Sequence, residues 1–91
     1  MTLRDVIACL DEFGDDETIY AESTEPNARA LVAPESVGDP DAGLRYLLEV
    51  SLAREAIDVW QTWRPGRTPT LDDKIAAVTY YALKDAWLPC E

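Results

Sequence analysis

Eighteen aspartates and glutamates, and no histidine, set the chemistry open to this 91-residue chain. Carboxylates can act as general acid and base, but only where a pocket moves one pKa away from the other. No spacing in the sequence marks such a pocket. The missing imidazole removes the side chain best suited to proton transfer and to transition-metal ligation near neutral pH. Cys9 therefore has no histidine to activate it as a nucleophile, and Cys90 is the penultimate residue. No catalytic, cofactor-binding or metal-ligating residue is assigned, and the chain reads as a non-enzyme that needs no cofactor.

The acids are unevenly placed. Residues 1–45 hold eleven acids against three bases, a charge of −8, while residues 46–91 hold seven against five, a charge of −2. Between Asp11 and Glu25 stand seven acids and no base. A calcium loop would need oxygen ligands at alternating positions around a tight glycine turn; here Gly14 precedes the acids and the alternation is missing. The stretch reads either as a solvated helix end and loop, or as a surface for a basic partner. Glu49, flanked by apolar residues, is expected to sit in a structural ion pair with Arg45 or Arg54, or on a capping amide. Arg64 and Arg67 lie in a turn without a glycine-rich phosphate cradle, and are expected to compensate a helix C-terminus in solvent. Trp60, Trp63 and Trp87 are expected to pack two helices together, with Trp63 the best placed to remain exposed as an anchor. Of the adjacent pair Tyr80 and Tyr81, one is expected to face water or a neighbouring chain.

Local patterns place these residues on elements. Thr2 and Asp5 make a capping box for a helix that carries Leu3, Val6, Ile7, Leu10 and Phe13 on one face and ends at Gly14. Residues 18–21 (Thr-Ile-Tyr-Ala) and 29–33 (Arg-Ala-Leu-Val-Ala) read as short strands joined in a hairpin by the turn chemistry of residues 24–27. Residues 34–43, with two prolines and two glycines, read as a loop. Residues 44–50 fit a third strand by their alternation, though the same letters could open a helix. From Ser51 the period is helical, with Leu52, Ala56, Val59, Trp60 and Trp63 on one stripe, until Pro65 and Gly66 break it. Thr70 and Asp73 make a second capping box, opening a helix with Leu71, Ile75, Val78 and Ala82 on its apolar face and ending at Pro89. The order α-β-β-(β)-α-α implies an α+β fold, a small antiparallel sheet of two or three strands covered by three helices, in one domain spanning 1–91.

The blocks Thr18-Ile19-Tyr20-Ala21-Glu22 and Tyr46-Leu47-Leu48-Glu49-Val50, followed by Leu52-Ala53-Arg54-Glu55, resemble those of small acidic bacterial proteins of unassigned function. The resemblance spans most of the chain and implies a bacterial cytoplasmic origin, with no activity attached. An N-terminus without a basic segment leading into a long apolar run, and no stretch near the ~20 apolar residues of a membrane span, agree with the cytoplasm. Cys9 and Cys90 are then expected to be reduced.

A net charge of −10 repels nucleic acid and anionic lipid and favours basic partners. The expected function is therefore protein–protein interaction, in its sharpest form an immunity- or antitoxin-like masking of a basic partner such as a nuclease toxin. Asp15, Asp16, Glu17, Glu22 and Glu25 would supply the charge, and Tyr20 or Trp63 the apolar anchor. The rivals are a self-associating structural or adaptor domain, with a homodimer as its form, and a small carboxylate-based enzyme or ligand-binding domain.

Overall fold

A computed structural model describes residues 1–34 and 43–88. It has the expected α+β architecture: α1 (Leu3–Ala8), a 3-10 turn (Leu10–Glu12), β1 (Glu17–Ala21), β2 (Ala30–Pro34), β3 (Arg45–Glu49), α2 (Val50–Thr62) and α3 (Leu71–Lys84). The three strands form one antiparallel sheet in the order β2-β1-β3. β1 and β2 pair as a hairpin from Glu17 opposite Pro34 to Ala21 opposite Ala30. The ambiguous segment before Ser51 is a strand, and it pairs with β1 through a register shift between Ile19 and Tyr20. The expected loop lies, for its residues 35–42, outside the described residues, as do Pro89 and Cys90.

The core is built from the helical stripes and one sheet face. Leu3, Val6, Ile7 and Leu10 bury against Ile19, Ala21, Ala30 and Leu48, and Val50, Ala53, Ile75 and Val78 close the cluster from α2 and α3. Alternation along β1 places Ile19 and Ala21 on this face and sends Thr18 and Tyr20 to the other. Both capping boxes are present. Thr2 Oγ1 accepts from the Asp5 N–H while the Asp5 carboxylate accepts from the Thr2 N–H, and Thr70 and Asp73 repeat the arrangement. In each box the carboxylate accepts a backbone N–H, which holds the pKa of Asp5 and of Asp73 below the ordinary aspartate value.

Several local expectations are corrected. The first helix does not run to Gly14: it closes at Ala8, with Cys9 as its C-cap, and the chain tightens into the 3-10 turn. Gly14 is not a left-handed cap, since positive φ among the described glycines belongs to Gly43 and Gly66. The buried stripe of α2 is Val50, Ala53, Ala56 and Trp60; Leu52 and Val59 are half-buried and Trp63 is exposed. Ala56 and Trp60 belong to both the expected and the observed stripe, and the helix, beginning at Val50 directly out of β3, extends it through Val50 and Ala53. α3 stops at Lys84, where Asp85 takes the left-handed C-cap at φ 54°, well before Pro89. Its buried residues are Ile75, Ala77 and Val78, with Leu71 and Ala82 half-buried.

Candidate functional site

The acidic stretch does not form one patch. β1 runs through its middle, and five residues of extended chain at about 3.3 Å each separate Glu17 from Glu22 by roughly 16 Å. At one end stand Asp11, Glu12, Asp15 and Asp16, all exposed, with Glu17 half-buried. At the other end stand Glu22 and Glu25, also exposed. Two of these acids have local tasks. Glu17 Oε1 accepts from the Gly14 N–H at 2.9 Å, which holds the turn into β1, and Glu22 faces Arg29 across the hairpin at 3.6 Å.

Arg54 of α2 reaches back to the acidic end and is engaged there through both terminal nitrogens. Its Nη1 pairs with Asp15, and its Nη2 donates to the carbonyls of Leu10, at 3.0 Å, and Phe13. The Leu10 carbonyl already accepts the Phe13 N–H at 3.3 Å within the 3-10 turn, and the guanidinium from another element adds a second donor there and binds the Phe13 carbonyl just past the turn. Its Nε is buried without a partner among the described residues. Glu49, expected to pair with Arg54, instead occupies the N-cap of α2 and makes no side-chain capping bond there.

Neither expected anchor is placed as its sequence context suggested. Tyr20 is 3% exposed and meets Tyr46 edge-on, with ring centroids 6.5 Å apart, so it is an internal residue of the sheet and no anchor. The physical reason is position: Tyr20 lies on the central strand, covered from both neighbours. Trp63 is 42% exposed at the C-cap of α2. Trp60 and Trp87 do not meet: Trp60 is buried beneath Arg64 and Arg67, whose guanidiniums lie 4.7 and 5.5 Å from its ring centroid, and Trp87 stacks on Tyr81 at 4.7 Å. Arg64 does compensate the end of α2, donating to the Trp60 carbonyl at 3.2 Å, but it does so at 8% exposure and not in open solvent. Tyr80 and Tyr81 are both half-buried.

Sequence reasoning missed one feature entirely. A cleft of about 440 Å³ opens between the end of α1, the middle of α2 and the start of α3. Its apolar wall is Ile7, Leu10 and Ile57, and its polar side chains include Asp11, Asp58, Gln61, Thr68 and Lys74. These polar residues are spread over 64 positions of sequence, Asp11 to Lys74, so no motif joins them. The only signal was indirect: Asp11, Asp58, Gln61 and Lys74 each lie next to an apolar-stripe residue, and so at the border of a buried face, while Thr68 in the α2–α3 connection carried none. A second, shallower hollow of about 380 Å³ lies between the start of β3 and the end of α3, beside Tyr46 and Leu83, which are 52% and 64% exposed.

Cys9 is a half-buried free thiol, and an accepting Glu12 carboxylate beside it pushes its pKa above the ordinary value, the opposite of activation. Among the described residues no helix is long and apolar enough to cross a membrane. No protein family, curated protein or solved structure matches this chain.

Proposed function

We propose that this chain is a non-enzymatic protein-binding domain of the bacterial cytoplasm, docking on a basic partner through the acidic end formed by Asp11, Glu12, Asp15 and Asp16. One observation carries the reading. The cation that reaches this end, Arg54, is held by two carbonyls and by Asp15, so Asp11, Glu12 and Asp16 keep an uncompensated negative field facing solvent. A field of one sign raises the rate of encounter with an opposite one and rejects like-charged partners, nucleic acid and anionic membrane among them. Masking the basic face of a toxin, as an immunity protein or antitoxin does, is the sharpest form of this function. Glu22 and Glu25, at the far end of β1, add to long-range attraction but cannot share one small contact with Asp16. Trp63 offers an exposed indole as an apolar anchor at the end of α2.

The test is capture from native lysate at low and high salt, repeated with the double substitution Glu12→Gln/Asp16→Asn. That pair leaves Asp15 on Arg54 and Asp11 in the cleft. A partner retained at low salt, released at high salt and weakened by the substitution supports the reading. A partner held equally well at high salt overturns it.

Self-association is the second reading, favoured by the exposure of Tyr46 and Leu83 beside the same hollow. A salt-insensitive dimer in sedimentation would replace the docking reading, and a monomer at all concentrations would remove the rival.

A further inference from the structure

The cleft between α1, α2 and α3 gathers polar side chains from three elements around one apolar wall, with a half-buried lysine among them. Of the other cations, Arg4 pairs with Asp72 at 3.3 Å, Arg29 with Glu22 and Arg54 with Asp15, and Arg64 and Arg67 lie on Trp60, while Arg45 and Lys84, which have no such contact among the described residues, are both exposed. In the cleft, the half-buried Lys74 ammonium has no hydrogen bond or ion pair among the described residues, and neither have the side chains of Asp11, Asp58, Gln61 and Thr68. Five unpartnered polar side chains thus border one concavity whose wall is Ile7, Leu10 and Ile57. Its volume of about 440 Å³ falls inside the roughly 300–1,000 Å³ of small-molecule sites.

From this arrangement we infer that the cleft binds a small zwitterion with an aliphatic body, an α-amino acid of leucine type. The reasoning is by charge. Arg54 also borders the cleft, but Asp15 offsets it, so the active charges are one ammonium and two carboxylates. A simple cation entering the cleft meets Lys74, and a simple anion meets Asp11 and Asp58. A molecule carrying both charges pairs with each. Lys74 stands in the first turn of α3, where the positive end of the helix adds to its pull on a carboxylate. Asp11, from the 3-10 turn, and Asp58, from α2, take the ammonium, while the Thr68 hydroxyl and Gln61 amide supply neutral hydrogen bonds. The apolar wall takes the aliphatic body, as in sites where a few placed polar groups orient a ligand over a hydrophobic surface. The inference does not depend on the docking reading: Asp11 alone belongs to both, and Lys74, Asp58 and the apolar wall lie outside the docking acids Glu12, Asp15 and Asp16.

The experiment is NMR titration of the intact protein with three probes: leucine, leucinamide (no carboxylate) and isocaproate (no ammonium). Leucine is expected to shift resonances of Ile7, Leu10 and Ile57 saturably, and to bind at least about tenfold more tightly than either single-charge analogue. Lys74→Met should abolish the preference of leucine over leucinamide, and Asp11→Asn/Asp58→Asn its preference over isocaproate. No saturable shifts at those three residues would overturn the proposal. So would leucinamide or isocaproate matching leucine, the first of these marking the cleft as a receptor for simple cations. The probe series on the unaltered protein decides the question even if a variant does not fold.

Discussion

Arg54 and Lys74 border the same cleft from adjacent helices, yet they have opposite fates. Arg54 is tied at every accessible nitrogen, to Asp15 and to the carbonyls of Leu10 and Phe13, and through them it joins α2 to the end of the 3-10 turn. Lys74 is half-buried with no partner of its own. A polar group whose partners all lie inside the molecule stabilises the fold, because removing it strands those partners. One without internal partners can be removed at little cost to the fold and is available to something else. The comparison therefore divides a cleft of mixed charge into a clamp and a receptor.

The largest effect expected from this division is that of Arg54→Met. It removes the guanidinium from Asp15 and from the Phe13 carbonyl and leaves the Leu10 carbonyl with the Phe13 N–H alone, and should lower stability by about 2–4 kcal/mol. Urea unfolding followed by tryptophan fluorescence measures it, and a loss below about 0.5 kcal/mol would mean that Arg54 is no clamp. Arg54→Lys should recover only part of the loss, since a point charge cannot bridge both carbonyls and Asp15 at once.

Next is Thr70→Ala, which removes the N-cap of the helix that carries Lys74 and should cost about 1 kcal/mol by the same assay. If Lys74 is positioned by α3, this variant should also weaken leucine binding, whereas Thr2→Ala, at the cap of α1, should affect it less.

A smaller effect is expected with pH. Asp5 and Asp73 have pKa values below their unfolded ones, because in each the folded carboxylate accepts a backbone N–H. Their contribution is thus present above the unfolded aspartate pKa, near 3.9, and is lost as pH falls through the lower folded values. Acid titration of the melting temperature should show a fall on this limb. In Asp5→Asn/Asp73→Asn the fall should be shallower, and an unchanged limb would show that the boxes contribute nothing to it.

The smallest effect is the most discriminating. Lys74→Met should leave stability within about 0.5 kcal/mol of the unaltered protein. A loss like that of Arg54→Met would make Lys74 a second structural cation and erase the contrast between the two.

How far the sequence led can be judged residue by residue. Thr2–Asp5 and Thr70–Asp73 were legible because a capping box is closed within four residues and needs nothing from the rest of the chain. The strands and the α2–α3 break were legible for the same reason: alternation, helical period and the Pro65-Gly66 pair act over a few positions. The helix end at Ala8 was not, because the Arg54 cap that supports the tightened turn comes from more than forty positions away. The acidic stretch read as one patch because sequence distance was taken for spatial distance, whereas an extended strand carries its two ends well apart. Tyr20 read as an anchor for a similar reason: nothing local shows that its strand is the central one.

The amino-acid sequence by itself determined the kind and order of the elements, the α+β class and the excess of negative charge, since each follows from local period, local capping and composition. Tertiary structure alone decided which charges are satisfied. Arg54 and Lys74 are both cations on apolar-striped helices, and no property of their neighbours in sequence tells them apart. Their roles depend on how α1, α2 and α3 pack, and that packing sets one guanidinium on the carbonyls of Leu10 and Phe13 while leaving one ammonium at the edge of an open cleft.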